Sequence, residues 1–275
     1  MKTPKFWGLH AEPSLGLNWF LLALPFILLV VGYLTFSHVR RLDNPDDKIA
    51  PSVTKMVDSV YRIAFTKDTR SGAYLMVKDT VSSLKRITVG IWLAAITGLL
   101  IGLNLGMFPG FRALLLPFFT FLSIIPPLTL LPILFIAFGV DETAKIVLIF
   151  IGICPTIIRD VYLTTEKAHK EHKVKALTLG ASQPGVVYRV ILPQIVPRWL
   201  DATRLAFGPA WLFLIAAEAI ASTDGLGYRI FLMRRYLDMS TIIPYVLWIT
   251  TIGFLMDWAL RAWVAWRYPW YTPKK

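Results

Sequence analysis

Ala176-Leu177-Thr178-Leu179-Gly180, followed after nine residues by Val190-Ile191-Leu192-Pro193, is the stretch on which the reading of this 275-residue chain turns. It is a polar-flanked interruption between apolar runs long enough to cross a bilayer, so it predicts a short, shaped element at a membrane surface. From Thr164 to Lys175 the chain is polar and rich in helix formers. Neither Pro nor Gly occurs until Gly180, which suits a left-handed cap position, so one short helix is expected up to that glycine. A second segment starts after Ser182, a good N-cap with Pro184 in its first turn, and runs Val186-Val187-Tyr188-Arg189-Val190-Ile191-Leu192 until Pro193 and Pro197 break it. Two short helices at an angle would make a rigid knob, with Val174, Ala176, Leu177 and Ala181 available to fill a groove on a partner. An amphipathic interfacial hairpin between spans is the alternative.

Composition sets the surroundings of that knob. With 56% hydrophobic residues, 17% charged residues and a mean hydropathy of +0.58, the chain is too apolar for an average soluble domain, in which roughly a quarter of residues are charged. It reads as an integral membrane protein with room for one membrane domain and short connections. The net charge of +12 and the ten Trp fit basic loop edges and aromatic side chains at headgroup level. Nucleic-acid binding is disfavoured, because the bases are scattered between apolar runs and form no stripe. Cys154, the single cysteine, lies inside an apolar run and has no partner for a disulfide or a metal site. The first apolar run continues for spanning length without a small-residue cleavage pattern, so it is expected to stay as an anchor.

Runs of mostly apolar residues predict about six transmembrane helices, at 17–36, 87–107, 112–138, 144–163, 197–221 and 241–264. The fold class expected is an all-α membrane protein, a polytopic bundle with a loop carrying the knob; the sides, cytoplasmic for that loop and periplasmic for 37–86, are those implied by the resemblance given below. The domain plan is an N-terminal tail and first span at 1–36, then a periplasmic loop with surface helices at 37–86. A core at 87–265 follows, with the knob loop at about 164–197, and a cytoplasmic tail at 266–275. Tyr74, Val77, Val81 and Leu84 fall at helical spacing and can feed the last surface helix into the second span. Pro126, Pro127 and Pro132 kink the third run, which is expected to face protein, where freed carbonyls find partners. Gly98, Gly102 and Gly106 recur at every fourth position and allow close helix approach, either within the chain or at a subunit interface. Basic residues do not decide orientation, because 159–198 and 37–86 carry similar numbers of them.

The offsets of Gly180, the hydrophobe Val190 and the Leu192-Pro193 pair resemble the "EAA" loop of binding-protein-dependent ABC importer permeases, although Val174-Lys175-Ala176 stands where that motif has Glu-Ala-Ala. Ala216-Ala217-Glu218-Ala219-Ile220-Ala221-Ser222-Thr223-Asp224-Gly225-Leu226-Gly227-Tyr228, together with Ile124-Ile125-Pro126-Pro127-Leu128 and the Asp257-Trp258 region, resembles the nitrate, sulfonate and taurine group of those permeases. The resemblance covers about residues 75 to 265. The runs Gly208 to Ile215, Gly227 to Phe231 and Arg234-Arg235-Tyr236 look like permeases associated with urea-carboxylase-type pathways, which adds urea, guanidine or a related nitrogen compound to the expected solutes.

The resemblance implies a type I importer subunit in the bacterial inner membrane. It implies two ABC ATPase subunits that bind ATP and Mg, a periplasmic or lipid-anchored solute-binding protein, and a second permease copy as a homodimer. This chain itself would bind no cofactor and catalyse nothing. The residues expected to couple to the ATPase are Val174, Ala176, Leu177, Gly180, Ala181, Val190, Leu192 and Pro193.

Glu218, Trp211, Pro126 and Pro127 are the candidates for the translocation path. Glu218 is an ionisable group inside an apolar run, which marks either a path or a structural carboxylate bonded to backbone groups. Arg229, Arg234 and Arg235 would sit in an outer loop, touching either a docked binding protein or lipid headgroups. Asp257 has Arg261 one turn away and is expected to pair with it. No Gly-x-x-x-x-Gly-Lys-Ser/Thr loop and no Gly-x-Ser-x-Gly elbow occurs, and His169, Glu171 and His172 do not have zinc-site spacing. An ion-coupled secondary transporter is the competing function, and an intramembrane enzyme a more distant one.

Overall fold

A computed structural model describes residues 14–44, 47–68, 72–168 and 170–271. Expectations on the tail 1–13, on His169 and on 272–275 therefore lie outside the described residues. Every regular element among the described residues is helical. Five helices are long and apolar enough to cross a membrane, and a sixth candidate is a pair of helices that passes the same test only when taken together.

Helix α1, Leu15–Asp43, buries almost none of its apolar surface within the chain. Its last turns are fastened to the loop that follows, Tyr33 donating to the Pro51 carbonyl at 2.7 Å and Ser37 to the Ala50 carbonyl at 3.0 Å. Helix α2, Val53–Phe65, is capped by Ser52, whose hydroxyl accepts from the Lys55 amide. It turns Ser59 inward onto Thr241 at 2.7 Å and leaves Val53, Val57, Tyr61 and Phe65 exposed along one stripe. That is the pattern of a helix lying in a membrane surface.

Helix α3 runs Leu75–Met107 and α6 runs Glu142–Glu166. They form the centre of the bundle, and the glycine stripe explains how. A Cβ at Gly98 would lie 2.6 Å from Ile157 Cγ2, and one at Gly102 would lie 2.7 Å from the Ile158 carbonyl. Gly90 meets Ile149 and Gly106 meets Thr165 in the same way. The contacts advance together along both chains, so the two helices run parallel with their backbones nearly touching. The stripe thus serves packing within the chain. Helix α3 begins at Leu75, well ahead of the 87 expected for the second span, because the surface helix does feed into it without a break.

The run expected as one kinked span at 112–138 is two pieces. Helix α4, Pro109–Ile124, and the segment Pro127–Phe138 meet at 84°; that segment is a 3₁₀ turn, Pro127–Leu130, leading into α5, Leu131–Phe138. Pro126 and Pro127 remove consecutive backbone donors, and each disfavours helical dihedrals in the residue before it, so the chain turns rather than bends. The expectation that this run faces protein is met within the chain only at α5, where Leu131 and Leu134 are buried in the core, since α4 has no buried residue.

A second correction concerns Pro193 and Pro197. They do not break the second knob helix, because Gln183 to Ile220 forms one helical path. After α8, Gln183–Gly185, the chain forms a π-helical turn over Val186–Ile191, then α9, Leu192–Leu205, and α10, Phe207–Ile220. The Leu192 amide bonds the Val187 carbonyl, five residues back. The wider turn brings the chain to Pro193 already out of α register, and Pro193 then sits in the first turn of α9, where its missing donor costs little. Helix α11, Leu226–Arg235, follows a tight turn, and α12, Met239–Arg267, completes the bundle.

Candidate functional site

The parallel pairing of α3 and α6 gives the molecule two ends. Leu75, Glu142 and the 218–229 region share one; Met107, Glu166 and the knob share the other. The knob consists of α7, Lys170–Thr178, and the turn into α8. Gly180 has φ +82°, the Ala181 amide bonds the Ala176 carbonyl at 3.0 Å and the Gly180 amide bonds the Leu177 carbonyl at 3.0 Å. These paired bonds are a Schellman closure, as the glycine's position predicted. Ser182 then caps α8 by accepting from the Gly185 amide at 3.3 Å.

The expected coupling residues divide into two sets. Val174, Leu177, Gly180 and Pro193 are exposed. Ala176, Ala181, Val190 and Leu192 instead pack against the core and hold the knob to the bundle, so only the first set is exposed. Sequence reasoning passed over Leu179, which is 88% exposed at the tip of the turn. It could have been found, since the residue before a C′ glycine caps the helix and projects from its end. His172 and Gln194, 3.3 Å apart, tie α7 to α9.

At the opposite end lies a buried ion network centred on Arg86. All five guanidinium hydrogens are used. Nε and Nη2 bond the Glu142 carboxylate at 2.5 and 2.7 Å, Nη2 also bonds Asp224 Oδ1 at 2.5 Å, and Nη1 bonds Glu218 at 2.6 Å and the Asp224 carbonyl at 3.0 Å. Glu218 accepts further bonds from Ser83 at 2.8 Å and from the Gly227 amide at 2.8 Å. Asp79 accepts from Arg229 at 2.8 Å, from Tyr245 at 3.1 Å and from the Gly225 amide at 3.1 Å. Lys145 donates to Ser222 at 3.1 Å beside Glu142. Gly225, with φ +114°, has no room for a side chain, because a Cβ would lie 2.5 Å from the Glu218 carboxyl carbon. The network joins α3, α6, α10, α11, α12 and the 221–225 turn.

This arrangement places the path and outer-loop candidates. Glu218 is fully buried and takes the structural role in this conformation, bonded to side chains as well as to backbone. Trp211 is also buried, and its indole N–H has no hydrogen-bond partner. Pro126 is exposed at the α4–α5 corner and Pro127 is half-buried there. Arg229 is turned inward onto Asp79 and is not offered to an outer partner, whereas Arg234 and Arg235 are exposed at the end of α11. Asp257 pairs with Arg261 at 2.6 Å as expected, and also with Arg204 at 2.9 Å, linking α12 to α9. Asp79, Ser83 and Arg86 were missed because the span was started at 87. Their spacing of four and three residues, on one face of an apolar helix, was the available signal. Among the described residues no group of His, Cys, Asp and Glu could hold a metal ion.

A helical bundle with a capped knob at one end matches a known architecture. The family model described as "Binding-protein-dependent transport system inner membrane component" matches residues 87–266. The chain belongs to this family. It is 33% identical over 190 residues to the taurine transport system permease protein TauC of Escherichia coli (strain K12), covering 69% of each chain. It is 32% identical over 193 residues to the bicarbonate transport system permease protein CmpB of Synechococcus elongatus, covering 70% of this chain and 68% of the relative. With the nitrate import permease protein NrtB of Leptolyngbya laminosa it shares 28% over 232 residues, covering 84% and 81%. Among solved structures, an inward-facing form of the MetNI methionine ABC transporter has the same fold, with a TM-score of 0.62 and 18% identity over 72% of this chain and 98% of that one. The chain is thus a multi-pass ABC importer permease, and the ion-coupled alternative is not favoured. It is not an enzyme, since ATP hydrolysis in this family belongs to separate subunits.

Proposed function

We propose that this permease carries a small solute bearing an oxyanion group, of the sulfonate, nitrate or bicarbonate type, across a bacterial inner membrane. A binding protein delivers the solute at the Arg86 end, and two ATPase subunits, which hold the ATP and Mg, seat on the knobs of two identical permease copies. The observation that carries this reading is the knob itself: a rigidly closed turn whose exposed tip residues are Val174, Leu177 and Leu179. Apolar tips on a polar membrane surface need a cover, and a groove on a motor subunit supplies it. For the motor to drive transport, its nucleotide-bound and free forms must prefer different permease states, which the continuous path from Gln183 to Ile220 can transmit from the knob. The solute class rests on the names of the relatives, all of which carry oxyanions in the cases described above. Urea and guanidine, expected from the sub-group resemblance, are the alternative.

The test is uptake into proteoliposomes holding the permease with its own ATPase and binding protein. Labelled taurine, nitrate or bicarbonate is expected to enter only when ATP is supplied. Uptake of urea or guanidinium with none of the three oxyanions would contradict the solute class, and uptake driven by an ion gradient without ATP would contradict the mechanism.

A further inference from the structure

Helix α6 has one face that the rest of the chain leaves open, and it carries Thr156 and Arg159. Arg159 lies seven residues before the helix end at Glu166, about 10 Å inside it at a rise of 1.5 Å per residue. Unlike Arg86 at the opposite end, Arg159 has no acidic partner among the described residues. The nearest acids along the helix are already engaged, Asp160 with Arg198 at 2.9 Å and Glu166 with Arg112 at 2.7 Å. Between α4 and α6 there is a cavity of about 450 Å³, and Arg159, Thr156, Thr120, Ser123 and Tyr162 line it with apolar neighbours. No acidic residue lines it, so its single formal charge is positive. Thr120 and Ser123 donate their hydroxyl hydrogens to their own helix, at 2.8 and 2.7 Å, whereas Thr156 makes no such bond. The Tyr162 hydroxyl is directed to Glu166, so the donors free to meet a ligand are the Arg159 guanidinium and the Thr156 hydroxyl.

We propose that Arg159 and Thr156 form an oxyanion station on the inner half of the translocation path, selecting solutes by charge and by the fit of two oxygens to a guanidinium fork. A planar fork matches the paired oxygens of nitrate, bicarbonate or a sulfonate, and a charge held in a low-dielectric wall attracts anions strongly. A positive wall also repels cations such as guanidinium. The station sits on the helix that leads directly into the knob, so motion of the knob shifts its position relative to α4. This inference rests on the importer reading above and sharpens its solute class.

The experiment compares wild type, R159Q, R159K and T156V in the reconstituted complex, with labelled nitrate and taurine as probes and ATP hydrolysis measured alongside. R159Q should lower uptake at least about tenfold, the loss expected for one charged hydrogen-bond partner, in a complex that assembles as wild type does. R159K should recover part of the loss, and T156V should raise the KM for uptake about threefold or more. If wild type takes up either probe and both R159Q and T156V match it, the station is overturned while the importer reading stands. If R159Q fails to assemble, the KM of T156V decides alone, and an unchanged KM overturns the station. If wild type hydrolyses ATP but takes up neither probe nor labelled bicarbonate, the oxyanion reading and the station fall together. A lipid phosphate offers the same oxyanion chemistry, and vesicle composition separates that source. A loss in R159Q confined to phosphatidylglycerol-rich vesicles, and absent in phosphatidylcholine, makes Arg159 a headgroup anchor and overturns the proposal.

Discussion

At Gly180 the backbone has φ +82° and open space around the α-carbon, so a side chain there meets no neighbour and the whole penalty is conformational. G180V should cost about 1–3 kcal/mol of local strain, tilting the knob rather than unfolding the bundle. Solute uptake should therefore fall while the amount of permease in the membrane, read by immunoblot, stays at the wild-type level. Loss of the protein itself would show that the turn supports the fold. Glu218 is the opposite kind of residue. E218A leaves the Arg86 guanidinium buried and short of one counter-charge, which should destabilise the bundle by about 3–5 kcal/mol, visible as a lower thermal unfolding midpoint in detergent. E218Q keeps an acceptor for Ser83 and should lie between the two, whereas an unchanged midpoint for E218A would contradict the structural role. The glycine was legible because its chemistry is local to one turn. The carboxylate was legible only as a question, since its partner Arg86 lies 132 residues away in sequence.

Helices α3 and α6 approach so closely that any side chain on the stripe must displace backbone or a branched side chain. G98L should accordingly abolish accumulation of the folded permease, because overpacking costs at least about 1–3 kcal/mol and the Ile157 and Ile158 backbone cannot retreat far. A G98L variant that accumulates and unfolds like wild type would remove the stripe from its structural role. The four-residue glycine period announced close packing but not its partner, because sequence spacing says nothing of which helix fills the groove. Two other elements were misread for physical reasons. The Pro126-Pro127 pair looked like a kink within one span and is a corner, since two consecutive tertiary amides exceed what one helix can absorb. Pro193 and Pro197 looked like stops and are not, because a π-turn ahead of them changes the hydrogen-bond register, and periodicity alone does not reveal such a turn.

Across the whole molecule, charge is arranged by end. One end closes its ion pairs on one another through Arg86, Asp79 and Arg229, while the knob end carries exposed apolar tips and lies nearer to Arg159, which has no acidic partner among the described residues. The first arrangement suits a rigid lid over the span ends, and the second suits a surface that meets a motor and a solute. Hydropathy and the offsets around Gly180 made the helical class and the knob legible, but basic-residue counts left orientation open. The parallel contacts of α3 with α6 place the knob and the Arg86 network at opposite ends of the bundle, a relation that the counts do not address. The central claim is that the knob tip seats in an ATPase subunit. Cys154 is buried, so L179C introduces the one readily accessible thiol among the described residues. Cross-linking of L179C to a cysteine placed in the groove of the ATPase subunit, in the assembled complex with and without ATP, tests the claim most directly. The account predicts a cross-link whose yield changes with nucleotide, and a thiol that impermeant reagents cannot reach from outside the cell. A thiol labelled from outside, with no cross-link to the ATPase in either state, would contradict it.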